Sequence, residues 1–131
     1  MTSAPPENEI QVLLNAFAQQ VNCYAAMLEI SRQERDLIRA GFVASRWIGL
    51  LEKRQRLMEE VAGIEARIAP IKTKWHRACQ QGQLPLEAEM RRWLDRIKKL
   101  LSELIQADEE NQRLLGQHDR GPTLSLAGGA A

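Results

Sequence analysis

Residues 24–41, YAAMLEISRQERDLIRAG, decide how this chain folds. Tyr24, Leu28, Ser31, Arg35 and Ile38 follow one another at steps of three and four, the spacing of a single helix face. Gly41 then supplies a natural stop, since glycine tolerates the backbone that ends a helix. The SRQERD block is the puzzle, because it sets Ser31 and Arg35 on a stripe that should be buried, with Glu34 beside it. Either these groups form a polar layer against a neighbouring helix and fix its register, or that end of the fold is thin and its charges reach water.

Working towards the N-terminus, the same stripe runs back through Val21, Phe17, Leu14 and Ile10. Leu13, Met27, Ile30 and Leu37 widen it beyond a two-stranded seam, as a bundle helix requires. Pro5 and Pro6 followed by Glu7 and Glu9 open the helix, with fixed φ and early acids facing the helix dipole.

Towards the C-terminus a second seam keeps time: Val43, Trp47, Leu50, Arg54, Leu57, Val61, Ile64, Ile68, Ile71, Trp75 and Ala78. Pro70 falls inside it and costs ~3 kcal/mol in a helix interior. The seam continues in register past it, which predicts one helix, kinked near residue 70, not two. QGQLP at residues 81–85 is a turn, with Gly ending one helix and Pro opening the next. A third seam follows: Leu86, Met90, Trp93, Ile97, Leu100, Leu104, Ala107, Asn111 and Leu114, broadened by Leu94, Leu101, Ile105 and Leu115. Gly116, Gly121-Pro122 and the closing LSLAGGAA predict its end.

The expected fold is therefore all-α: an elongated antiparallel three-helix bundle, or a helical hairpin with a third packing helix. One domain spans residues 1–118, with helices over 7–40, 43–81 and 86–116 and a disordered tail over 119–131. At 1.5 Å rise per residue each helix is about 45–55 Å long, and such slender helices share a core unevenly. Trp75 and Trp93, with Met90, lie at similar distances either side of the turn and are expected to meet as core anchors.

Composition narrows the function. The 131 residues carry a formal net charge of +1 and are 44% hydrophobic, with 27% charged residues, so no strong field marks a nucleic-acid or anionic-membrane binder. Residues 44–81 hold eight Lys/Arg against four acids, whereas residues 7–40 hold three against five and residues 86–118 six against seven. That distribution suits pairing within the fold. Arg46/Lys53/Arg54/Arg56 and RRWLDRIKK at 91–99 are interleaved with acids and seam residues, which argues against a nucleic-acid surface. No apolar run is long enough to insert stably in a membrane, and MTSAPPENE lacks the features of a signal peptide. Cys23 and Cys79 show no metal or redox spacing and read as small buried or half-buried thiols of a reducing compartment. The expected location is cytoplasmic.

Catalytic signatures are missing. No Glu lies three residues before His76 or His118, so a bundle di-metal site is not built. There is no phosphate loop, HExxH or nucleophile elbow. His76 sits in a basic KTKWHRA segment suited to a phosphoryl group, but Gln80 occupies the place one turn on where a phosphorelay histidine usually has a glycine. The expectation is a protein that is not an enzyme and holds no cofactor or metal.

The greasy positions of the third helix point to a protein partner. Leu100, Leu101, Leu104, Ile105, Leu114 and Leu115 exceed what a slender bundle covers, and helix-in-groove contacts need such anchors at i, i+3, i+4 and i+7. Either Asn111 sits on a frayed helix end, where a polar seam residue costs little, or, with the acids at 108–110, it sets partner register and discourages wrong pairings. Those acids, near the expected helix end, oppose its dipole. Leu104→Ala with Leu114→Ala is expected to weaken partner binding more than folding.

Three motifs in order carry a family resemblance. Tyr24…Leu28…Ser31-x-x-Glu34-Arg35-x-x-Ile38 is similar to the first helix of FlgN-like flagellar export chaperones. The run from Leu50 to Met58, LLEKRQRLM, resembles their Leu-x-x-Lys-Arg/Glu-x-Leu-Met run, and Asn111-Gln112-Arg113-Leu114-Leu115 resembles their closing Asn-x-x-Leu-Leu. The similarity covers residues 10–116. It implies a cytoplasmic chaperone of flagellar type III secretion, which binds the C-terminal helical segments of hook–filament junction proteins and delivers them to the export apparatus. Two features depart from the family: residues 117–131 contain no tyrosine, and residues 41–49 are more apolar than the short acidic turn of that family. Two readings compete with it, a self-associating coiled-coil structural protein and, behind it, a phosphorelay bundle.

Overall fold

The protein was analysed as a computed structural model, which describes residues 5–82 and 87–119. It consists of three helices, α1 (Glu7–Ala40), α2 (Ala44–Gln80) and α3 (Glu87–Asp119), and no strand among the described residues. The all-α expectation therefore holds. Pro6 caps α1 with φ −65°, and Gly41 ends it at φ 111°, a backbone that an L side chain rarely adopts. After α2, Gly82 turns the chain at φ 77°.

At Pro70 the expectation of one continuous helix holds, and at Gly116 the expected end does not. Helix α2 runs unbroken across Pro70, with Ile68 buried on one side and Ile71 half-buried on the other. Packing on both sides holds the seam together where one backbone bond is missing. Helix α3 passes through Gly116 to Asp119, so the expected stop at Gly116 is corrected: a single glycine weakens a helix by only about 1 kcal/mol and need not end it. The acids at 108–110 consequently lie well inside α3, beyond the last turn where the dipole acts most strongly. Leu86 and residues 120–131, including most of the expected tail, lie outside the described residues.

Helix α1 is the spine. Fourteen of its residues are buried, against five of α2. It packs along both other helices, while α2 and α3 scarcely approach each other. The sequence explains this arrangement, because α1 carries two complete heptad seams. Ile10, Leu14, Phe17, Val21, Tyr24, Leu28, Ser31, Arg35 and Ile38 form one; Leu13, Ala16, Gln20, Cys23, Met27, Ile30, Glu34 and Leu37 form the other. Groups on the first seam meet α3, where Ser31 bonds Asp108 and Asn111. Groups on the second meet α2, where Gln20 bonds Glu65 and Glu34 pairs with Arg54. The chain order thus runs up, down, up, and α1 and α3 are parallel.

The core is concentrated at one end. Ile10, Leu13, Phe17, Ile64, Ile68, Trp75 and Met90 form a buried cluster, with Trp93 packed at its margin, so the expected meeting of Trp75, Met90 and Trp93 is found. Towards the other end polar Ser31, Glu34 and Asn111 join Leu28, Ile30, Ile38, Leu50 and Leu104 in the interior. Helix α2 was expected to be the basic partner of two acidic neighbours, and Lys74–Glu9 at 3.1 Å fits that scheme. In space, however, α1 is the central helix.

Candidate functional site

A cleft of about 210 Å³ opens between α2 and α3. Its floor is Glu34 of α1, Arg54 of α2, and Asp108 and Asn111 of α3; Trp47, Leu51, Gln112 and Leu115 line its walls. The spacing on each helix creates it. Trp47, Leu51 and Arg54 are separated by four and three residues, as are Asp108, Gln112 and Leu115, so each set lies on one face. The Arg54–Asp108 pair fixes the antiparallel register of these faces. One turn further along, that register sets Met58 of α2 level with Ile105 of α3.

Exposed apolar side chains stand on both helices. On α2, Ile48 is 54% exposed, Leu51 44% and Met58 49%; on α3, Ile105 is 55% exposed. Trp47 is half-buried and steadied by Phe42, with ring centroids 5.1 Å apart.

The floor is a connected polar network. Ser31 Oγ donates to Asp108 Oδ1 at 2.9 Å, and Asn111 Nδ2 donates to the Ser31 carbonyl at 2.8 Å and to Ser31 Oγ at 3.1 Å. Arg54 bonds Asp108 and lies 3.6 Å from Glu34. The polar layer allowed by SRQERD is therefore present, and Glu34 has its arginine partner. Arg35, expected on the same layer, instead lies half-buried beside Asp36 at 4.0 Å. Burial pushes the Glu34 carboxyl above its ordinary value of 4.5; Arg54 and an Asn111 hydrogen bond oppose that shift and Asp108 adds to it. The Asn111 side-chain oxygen is buried and has no hydrogen-bond donor among the described residues.

The structure separates the residues singled out in α3. Leu104 and Asn111 are buried in the chain's own interior. Leu100, Leu101, Leu114 and Leu115 are half-buried, and Ile105 is exposed. Of these, Asn111 and Leu115 line the cleft. The sequence reading missed that Trp47 and Leu51 form the opposite wall. Its available signal was the apolar character of residues 41–49, together with Leu51 lying off the α2 seam.

Other candidate chemistry is not assembled. No group of three or more His, Cys, Asp or Glu residues is placed to hold a metal among the described residues, and none of their helices is long and apolar enough to cross a membrane. His76 is exposed, with the Trp75 ring edge-on at 5.5 Å. In the basic clusters, Arg54 is spent on the cleft floor, Arg91 on Glu87 and Arg96 on the face of Trp93 at 4.8 Å. Comparison of the chain with protein-family models, curated proteins and solved structures finds no match in any of the three.

Proposed function

We propose that this protein is a handling factor for another polypeptide and that the α2–α3 cleft receives an amphipathic helix from it. The supporting observation is the open side of the bundle. Helices α2 and α3 each pack on α1, and between them Leu51 stands exposed on the cleft wall, with Ile48 and Met58 also exposed on α2 and Ile105 on α3. A fourth helix laid between them would cover those residues, and covering apolar area contributes roughly 25 cal/mol per Å². Helix-in-groove binding uses this geometry.

The client class follows from the sequence resemblance to FlgN-like chaperones. In that reading the protein is a cytoplasmic chaperone of flagellar type III export. It binds the C-terminal helical segments of hook–filament junction proteins, keeps them from assembling early, and presents them to the export apparatus. No chemistry is required of it, and the role needs neither cofactor nor metal.

The test is capture by the tagged protein from a lysate of flagellated cells, with the retained proteins identified by mass. Recovery of hook–filament junction proteins, lost with Leu51→Arg, supports the assignment. Retention of unrelated proteins only, or no effect of Leu51→Arg, contradicts it. A second reading, self-association through the same exposed edges, predicts a dimer or larger species of the purified protein by light scattering without any client.

A further inference from the structure

We infer that the helix received by this cleft carries a lysine or arginine where it meets the floor, with apolar residues three or four positions to either side. The inference rests on the proposed docking role and adds to it the chemistry of the partner. A purely apolar helix would fit the walls but not the floor. There, two carboxylates, Glu34 and Asp108, face one guanidinium, Arg54. The other nearby arginines do not line the cleft: Arg35 lies 4.0 Å from Asp36, Arg39 lies 3.8 Å from Glu110, and Arg113 bonds the Glu110 carboxylate. The floor is thus left with one uncompensated negative charge.

The second observation is independent of charge. Asn111 is only 5% exposed, and its side-chain oxygen is an acceptor without a donor. Its orientation is fixed by chemistry, since the Ser31 carbonyl can only accept and so must face the amide nitrogen. Ser31 Oγ, already donating to Asp108, likewise accepts from that nitrogen. The amide oxygen is therefore left over on a residue that lines the cleft. Buried acceptors are rarely left without a donor, and this one is enclosed with none. A lysine ammonium or arginine guanidinium has several donors and no acceptor. It could serve the Asn111 oxygen and a neighbouring carboxylate together, while its stem lies along Trp47 and Leu51. A glutamate at that position would meet Asp108, Glu34 and a carbonyl oxygen, all repulsive.

Three fluorescein-labelled peptides test this on the full chain. Each is a designed 21-residue amphipathic helix with leucines at the anchor positions, differing only in a central Lys, Leu or Glu. Fluorescence anisotropy is expected to show the Lys peptide binding at least about tenfold tighter than the Leu peptide, with the Glu peptide weakest. Asp108→Asn and, separately, Asn111→Leu should each shrink the Lys preference, read as the ratio of Lys-peptide to Leu-peptide affinity. Circular dichroism confirms folding of both variants, and either one alone suffices if the other fails to fold. Equal binding of the three peptides overturns the inference and leaves the docking role standing. Binding of none of them, or a light-scattering dimer abolished by Leu51→Arg, overturns both, the latter by making a second copy of this chain the occupant.

Discussion

Arg54, midway along α2, lies 3.6 Å from Glu34 of α1 in a site where Glu34 is almost fully enclosed. It also bonds Asp108 of α3, making it the only residue among those described that ion-pairs with both other helices. Arg54→Leu would leave two carboxylates together without their cation. Breaking a buried pair from one side is costly, and partial solvation of Asp108 reduces the penalty here. The variant should lose roughly 2–3 kcal/mol in urea unfolding. A loss within 0.5 kcal/mol would mean the layer is solvated and contributes little.

Glu34 gives the pH dependence. Its carboxyl is raised in the folded state, chiefly by burial, so between the ordinary carboxylate value and the folded one the native protein binds more protons than the unfolded chain. Stability contributed by this group therefore falls as pH rises through that window and is recovered as pH drops back through it. Glu34→Gln keeps an acceptor for Arg54 without the buried charge. The variant should be as stable as the parent or more so at pH 7.5, with the difference shrinking towards pH 4.5, as read by thermal melts. A Glu34→Gln protein much weaker than the parent at pH 7.5 would show that the Arg54 attraction outweighs desolvation.

Leu104 and Ile105 are neighbours with opposite expected roles. Leu104 is 5% exposed, whereas Ile105 is 55% exposed. Leu104→Ala should cost about 2–4 kcal/mol of stability through lost packing; Ile105→Ser should stay within about 0.5 kcal/mol and weaken partner binding instead. Pairing Leu104→Ala with Leu114→Ala would therefore mix folding and binding, and Ile105 with Leu51 separates them. Similar melting behaviour for the two single variants would place Ile105 in the core.

Cysteine labelling reads the fold from the other end. Cys23 lies buried on the α1 seam facing α2, with its thiol pushed up to about 11 by burial and by Glu60. Thiolate is the reactive form, so Cys23 should resist a maleimide at pH 7.5 until the protein unfolds. Cys79, half-buried near the end of α2, should react first. Prompt labelling of Cys23 in the native protein would contradict the packing of α1 on α2.

Much of this fold was legible because long helices repeat their signal. The α1 stripe from Ile10 to Ile38, the turns at Gly41 and Gly82, and the level meeting of Trp75 with Met90 all follow from spacing and turn chemistry. The second α1 seam was read only through Leu13, Met27, Ile30 and Leu37. Its remaining members hide the period, since Gln20 and Glu34 are polar, and Ala16 and Cys23 are small. Only the answering groups on α2, Glu65 and Arg54, show why polar residues occupy a buried row. The cleft was half legible. Leu115 and Asn111 belong to a visible α3 pattern, while Leu51, Ile48 and Met58 are off-seam residues of α2 whose role depends on how far α3 stands away. That separation is a tertiary property, set by α1 packing on both neighbours. Gly116 misled for a similar reason, because glycine signals a stop only when nothing beyond it favours continuing.

Calorimetric titration of the purified chain with the C-terminal helical segment of a hook–filament junction protein tests the central claim most directly. The predicted result is a one-to-one complex that Leu51→Arg and Ile105→Arg each abolish while melting like the parent. Absence of binding, or binding that both substitutions leave untouched, would contradict the assignment of this cleft as a receptor for another polypeptide's helix.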